Sequence, residues 1–156
     1  MLGFSDGTKD GGYLMANWSI YKAKESLTAI SRKYDVEVIF FDGRGGPPAR
    51  GGGKTHKFYA SLGPDIENKE IQITIQGQTI SSNFGTLDSS RYNLENLLSA
   101  GAANQVFYKG ENKLTQEEKN ILEELSEISY KEYTDFKNHP KFIPYLERRS
   151  ALKYYA

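Results

Sequence analysis

Apolar positions in the first third of the chain recur at helical spacing. Tyr13, Ala16, Ile20, Ala23, Leu27, Ile30 and Tyr34 alternate steps of three and four and form one continuous stripe. Leu14, Trp18 and Tyr21 widen it beyond a third of the circumference, which predicts a helix packed on a sheet and ended by Asp35. Before it, Met1 to Phe4 is apolar and runs into a turn at Ser5-Asp6-Gly7, as the last residues of a strand would. After it, Val36 to Phe41 is a β-branched and aromatic run broken only by Glu37, which suits a strand buried on both faces. Thr55 to Ser61 predicts a short helix. Glu70 to Ile80 alternates Ile71, Ile73 and Ile75 with Gln72, Thr74 and Gln76, a third strand. From Leu87 to Tyr108 the pattern is helical, with Leu94, Leu97, Leu98 and Ala102 on one face and Gly110 marking the end. Thr115-Gln116-Glu117-Glu118 is a capping box for a further helix with an apolar face of Ile121, Leu122, Leu125 and Ile128. Pro140 and Pro144 then break the chain, and Leu152 to Ala156 is an aromatic, uncapped end that reads as cut.

The order strand, helix, strand, loop, strand, helix, helix is that of an α/β chain with crossover helices and parallel strands. In such folds ligands sit beyond the carboxyl ends of the strands. Those ends carry Ser5-Asp6, Asp42-Gly43-Arg44 and Gln76-Gly77.

Composition narrows the choices. The 156 residues make one domain at most, and 20 Lys+Arg balance 20 Asp+Glu, so there is no overall basic surface for nucleic acid. No apolar run approaches the ~20 residues of a membrane span, and no signal-peptide core follows Met1, so a cytoplasmic globular piece is expected. Cysteine is absent, which excludes disulfides and thiolate chemistry, and two histidines make a multi-His zinc site a poor fit. The charge is uneven. Residues 1–60 hold nine Lys/Arg against six Asp/Glu, and residues 61–156 hold eleven against fourteen. The basic part is also the glycine-rich part, which points to anion binding there.

More than half of the residues from Gly43 to Gly53 are glycine, with Arg44 and Arg50 among them. Glycines let a backbone approach a ligand and turn its N–H groups inward, while arginine presents a planar fork to phosphate or carboxylate. A plain surface loop is the usual meaning of such a segment, but this one directly follows a buried strand. Gly53-Lys54-Thr55 resembles the end of a P-loop, yet the pattern needs glycine where Pro48 stands, and proline has no N–H to donate. In Ser5 to Gly12, Asp6 and Asp10 are hard oxygen donors for a divalent cation and Lys9 suits an anion, while simple turn chemistry accounts for them equally well. His56 is a base candidate but fits a surface helix start better, and His139 reads as a loop residue. Gln76 and Gln78 can hydrogen-bond a ligand or merely close a strand. The acidic run Glu117, Glu118, Glu123, Glu124, Glu127 reads as a solvated helix face.

Four segments together resemble phosphoenolpyruvate carboxylase. Gly3-Phe4-Ser5-Asp6-Gly7-Thr8-Lys9-Asp10-Gly11-Gly12 is similar to that family's GYSDSxKDxG. Trp18, Tyr21-Lys22-Ala23 and Glu25 are similar to its W-x-x-Y-K-A-x-E helix, and Phe41 to Gly53 to its FHGRGGxxGRGG loop. Ile75-Gln76-Gly77-Gln78-Thr79-Ile80 with Phe84-Gly85 is similar to its QGExI…FG. The resemblance implies a (β/α)8 barrel with added helices, of which this chain is a part: about three parallel strands, crossover helices and further C-terminal helices. It implies carboxylation of phosphoenolpyruvate by bicarbonate to oxaloacetate and phosphate, with Mg2+ or Mn2+. By motif match, Asp6 is a metal ligand, Arg44 grips the substrate phosphate, and Lys9 lies in the site. Gly45, Gly46 and Gln76 contact substrate, and Arg50 serves catalysis and a dicarboxylate inhibitor.

The chain departs from the pattern at Asp42, where the family has histidine, at Pro47-Pro48-Ala49 in place of Thr/Ser-Val-Gly, and at Gln78 in place of glutamate. The family's TAHPTE histidine motif and a second metal carboxylate lie upstream of its matching segment, and its GSRPxxR arginines lie downstream. The whole of residues 1–156 therefore reads as one piece of the C-terminal half of the catalytic domain, inactive alone. Its partners would be the remainder of the parent chain, or another copy through exposed strand edges. An autonomous anion-binding or regulatory module is the second reading, and a P-loop-like nucleotide-binding protein the third.

Overall fold

The computed structural model describes residues 1–44, 52–107 and 113–151. Among them are seven helices and two short strands. The order is α1 (Phe4–Gly11), α2 (Tyr13–Lys33), β1 (Phe40–Asp42), α3 (Thr55–Ser61), β2 (Ile71–Ile73), α4 (Gln78–Phe84), α5 (Leu87–Val106), α6 (Gln116–Lys137) and α7 (Phe142–Arg149). β1 and β2 pair in parallel, with Phe40 opposite Ile71 and Asp42 opposite Ile73. Leu2 lies along the other edge of β1 in a single parallel bridge to Asp42. Its N–H donates to Phe41 O at 2.8 Å, and Gly43 N–H donates to Leu2 O at 2.8 Å. Three chain segments thus run side by side in sequence order. The approach is close enough that a Cβ on Gly43 would stand 3.0 Å from Leu2 O, so a side chain here would require the Leu2 backbone to give by a few tenths of an ångström.

The core lies between this small sheet and the helices around it. Phe40, Tyr59, Leu62 and Ile66 are buried together, with Leu2, Tyr21, Phe58, Ile71 and Leu97 packed against them. α2 rests on α1 and α6. Its contact with α6 is largely polar: Trp18 Nε1 donates to Glu123 Oε2 at 2.6 Å, Lys22 Nζ reaches the same carboxylate at 2.6 Å, and Lys119 Nζ reaches Glu25 at 2.5 Å. The hydrogen bonds from Lys22 and Trp18 hold the Glu123 carboxyl below its ordinary range.

Several expectations change. Ser5-Asp6-Gly7 is part of α1, which Phe4 opens; Thr8 Oγ1 donates to Phe4 O at 2.7 Å, and only Phe4, Thr8 and Gly11 face inward, too few to show a helical period. The β1 strand begins at Phe40, and Val36 and Ile39 are exposed. The third strand stops at Ile73. Gly77, at φ 58°, turns the chain into α4, which the alternation of isoleucines did not foretell. Pro144 sits inside α7, in its first turn, where a missing N–H breaks no helical bond. The α2 stripe is only half used: Ala16 and Ile20 are buried beside Trp18, Lys24 and Thr28, whereas Tyr13, Leu27, Ile30 and Tyr34 are exposed. Glu123 belongs to the α2–α6 seam, outside any simple solvated face.

Other expectations stand. α3 spans Thr55–Ser61, and the Thr115–Glu118 box caps α6, with each side chain taking the other residue's backbone N–H. The α/β character holds in its coarse form, a mostly helical chain around a parallel pair. No described helix is long and apolar enough to cross a membrane.

Candidate functional site

The carboxyl ends of the parallel segments open into a cavity of about 1160 Å³. Gly3, Ser5, Asp6 and Lys9 line it from α1 and the residue before it, Gly43 from the end of β1, and Thr74, Gln76 and Gly77 from beyond β2. Gly53, Lys54, Thr55 and His56 contribute the start of α3. The fold therefore brings Asp6 and Lys9, from α1, and Gln76, from beyond β2, to one cavity. Asp6 and Lys9 form an exposed ion pair at 3.2 Å. Lys9 O also accepts from Tyr133 Oη at 2.8 Å and Lys137 Nζ at 2.9 Å, so the end of α6 braces α1. Asp10 is not among the lining residues.

Arg44 lies in an adjoining pocket of about 210 Å³, walled by Ile71, Ile73, Ile75, Leu94 and Leu97, which shares Gly53, Thr55, His56 and Asn83 with the larger cavity. The side chain is 6% exposed. Its guanidinium stands 3.9 Å over the Phe58 ring and 5.2 Å from that of Phe4. Its one hydrogen bond among the described residues goes to Gly52 O at 3.4 Å, and Nε has no partner. Burial lowers its proton affinity, against the opposing influence of Tyr59, Tyr13 and Asp42, but an arginine stays cationic throughout the ordinary pH range. A buried cation with donors to spare suits an anion. Gly45, Gly46 and Arg50 lie outside the described residues.

Beside Arg44 is a cluster that reading the sequence alone did not reveal. Asp42 is fully buried, and its Oδ2 accepts from Lys24 Nζ at 2.5 Å and from Tyr59 Oη at 2.6 Å. Burial pulls the Lys24 ammonium down and pushes the Tyr59 phenol up, with Asp42 opposing the first and reinforcing the second. Position 42, histidine in the family pattern, is here one half of a sealed ion pair. The available signal was Lys24 itself, four residues after Ile20 and four before Thr28, on the buried side of α2.

Asp6 is a hard oxygen donor on the cavity wall and fits as one ligand of a divalent cation. Among the described residues no three His, Asp or Glu stand together to hold a metal.

The phosphoenolpyruvate carboxylase family profile matches residues 1–154. A phosphoenolpyruvate carboxylase of Corynebacterium glutamicum is 36% identical over 154 residues, and that of Corynebacterium efficiens 34% over 154. The Mycobacterium leprae enzyme is 33% identical over 148. These alignments cover 94 to 98% of this chain, which spans only 16 to 17% of the relatives' length. From its first residues to nearly its last, the chain belongs to the phosphoenolpyruvate carboxylase family.

Proposed function

We propose that this chain is part of the catalytic (β/α)8 barrel of a cytoplasmic phosphoenolpyruvate carboxylase, which joins phosphoenolpyruvate to bicarbonate and releases oxaloacetate and phosphate. The observation that carries the reading is the convergence of Asp6, Lys9 and Gln76 on one cavity, with Arg44 in the adjoining pocket, at the carboxyl ends of consecutive parallel segments. Arg44 meets the substrate phosphate with a planar fork, and the Gly45 and Gly46 N–H groups support it. Lys9 adds a second cation, and the Gln76 amide orients the substrate. The phosphoryl group passes from the enol oxygen of phosphoenolpyruvate to a bicarbonate oxygen and leaves with that oxygen and the bicarbonate proton as phosphate, while the bicarbonate carbon bonds to C3. Arg50, on the same loop, serves that step and a dicarboxylate inhibitor. The exposed apolar side chains Leu98, Ile121, Leu125 and Ile128 on α5 and α6 support burial against the rest of a larger enzyme.

The test is a coupled oxaloacetate assay on the intact protein that carries this chain. Product should require phosphoenolpyruvate and bicarbonate together, and hydrolysis of a nucleotide in place of phosphoenolpyruvate would point to the P-loop-like reading. Asp6 contributes one oxygen to the Mg2+ or Mn2+ that this chemistry needs. Asp6→Asn should raise the Mn2+ concentration for half-activation by roughly tenfold or more. An unchanged Mn2+ dependence would leave Asp6 a helix residue paired with Lys9.

A further inference from the structure

We propose that Lys24, Asp42 and Tyr59 act as a positioning unit for Arg44. Asp42 closes β1 and is bound through both its side chain and its backbone. Its carboxylate holds α2 through Lys24 and α3 through Tyr59, at 2.5 and 2.6 Å. Its carbonyl accepts from Thr74 N–H beyond β2 at 3.1 Å and from Arg44 N–H at 2.9 Å. One residue therefore joins two helices, the neighbouring strand and the backbone of Arg44.

The link continues through an aromatic ring. Lys24 Nζ is 5.5 Å from the centre of the Phe58 ring, and the Arg44 guanidinium is 3.9 Å from it. Phe58 packs edge-on against Tyr59, with ring centres 5.2 Å apart, and edge-on against Phe4 at 5.4 Å. Lys24 also lies 5.0 Å from the Phe40 ring and 5.5 Å from that of Tyr59. The ammonium is thus enclosed by three rings and one carboxylate. Removing the pair takes away one of the groups packed around Phe58, the ring that lies under Arg44.

Such an arrangement has a cost that a purely packing role would avoid, because buried ion pairs are commonly replaced by apolar residues without loss of stability. The carboxylate leaves Oδ1 without a partner as well. A charged pair here therefore makes sense for the geometry it imposes. The inference uses the proposed reading of Arg44 as an anion-binding group only for its consequence; the placement of Arg44 is testable without catalysis.

The experiment is phenylglyoxal labelling of arginine in the intact protein that carries this chain, resolved by peptide mass spectrometry, with Arg91, exposed in this structure, as the internal standard. In the unaltered chain Arg44 should react roughly tenfold more slowly than Arg91, or slower still. Equal rates would overturn the proposal at once. In Lys24→Met/Asp42→Asn, where neither member of the pair is left charged without the other, the circular dichroism should stay native while Arg44 labelling rises by roughly tenfold. A native spectrum with Arg44 still protected would overturn the positioning role. If the double variant loses its native spectrum, Tyr59→Phe decides: it keeps the ring and removes the hydroxyl that donates to Asp42, and Arg44 should still react several times faster than in the unaltered chain. Unchanged Arg44 protection in that variant would likewise reject the unit. Failure of the carboxylase assay would leave these rates untouched, so the two readings fail separately.

Discussion

The 156-residue chain, assayed by itself with phosphoenolpyruvate, bicarbonate and Mn2+, is expected to form no measurable oxaloacetate. Among the described residues the sheet is two three-residue strands and a single bridge, against the eight strands of a closed barrel. The chain covers about a sixth of the length of its relatives. Its cavity holds Asp6, Lys9 and Gln76, with Arg44 beside it, but no set of carboxylates able to hold a metal among the described residues. Groups that act together lose activity steeply when any of them is missing, so a partial set does not give partial turnover. The measurement is a coupled oxaloacetate assay, compared with the intact protein at equal molar concentration. Turnover by the chain near the ordinary enzyme scale of about 10 per second would make it a complete catalyst and end the reading as a part of a barrel.

The second large effect is at Arg44. In the intact enzyme, Arg44→Lys should lower kcat/KM for phosphoenolpyruvate by roughly 30- to 5000-fold, the equivalent of about 2–5 kcal/mol for truncating a buried charge-assisted pair. Lysine keeps the charge but loses the fork. It also loses the flat face that lies 3.9 Å over Phe58, so it would neither stack as arginine does nor meet phosphate through two parallel bonds. Kinetics at saturating bicarbonate and metal would measure this. A near-normal kcat/KM with lysine at this position would remove Arg44 from the site.

The strand-end logic of the site was legible because it needs only the order of the elements. Parallel strands with helical crossovers place their carboxyl ends on one side, and Gly43, just past β1, and Gln76, just past β2, line one cavity, which Asp6 reaches from α1 instead. The starts of α3, α5 and α6 were legible for local reasons, above all the capping box at Thr115 and Glu118. The misread elements are those in which local pattern and tertiary setting part. α1 is short and has few inward positions, so its period does not show. The isoleucines at 71, 73 and 75 alternate as a strand does, but a positive φ at Gly77 ends the run and begins α4. Pairing extends only from Phe40 to Asp42, which no propensity of Val36 or Ile39 could foretell. The Lys24–Asp42–Tyr59 cluster was hidden for a different reason. A lysine on the buried face of a helix has meaning only with its anion, and that anion stands 18 residues away on a strand.

The most direct measurement of the central claim is a crystal structure of the intact protein with an unreactive phosphoenolpyruvate analogue and Mn2+. The account predicts the analogue in the cavity at the strand ends, its phosphate within hydrogen-bond distance of Arg44 and the metal bound to an oxygen of Asp6. An analogue bound elsewhere, with this cavity empty and no anion within reach of Arg44, would contradict it.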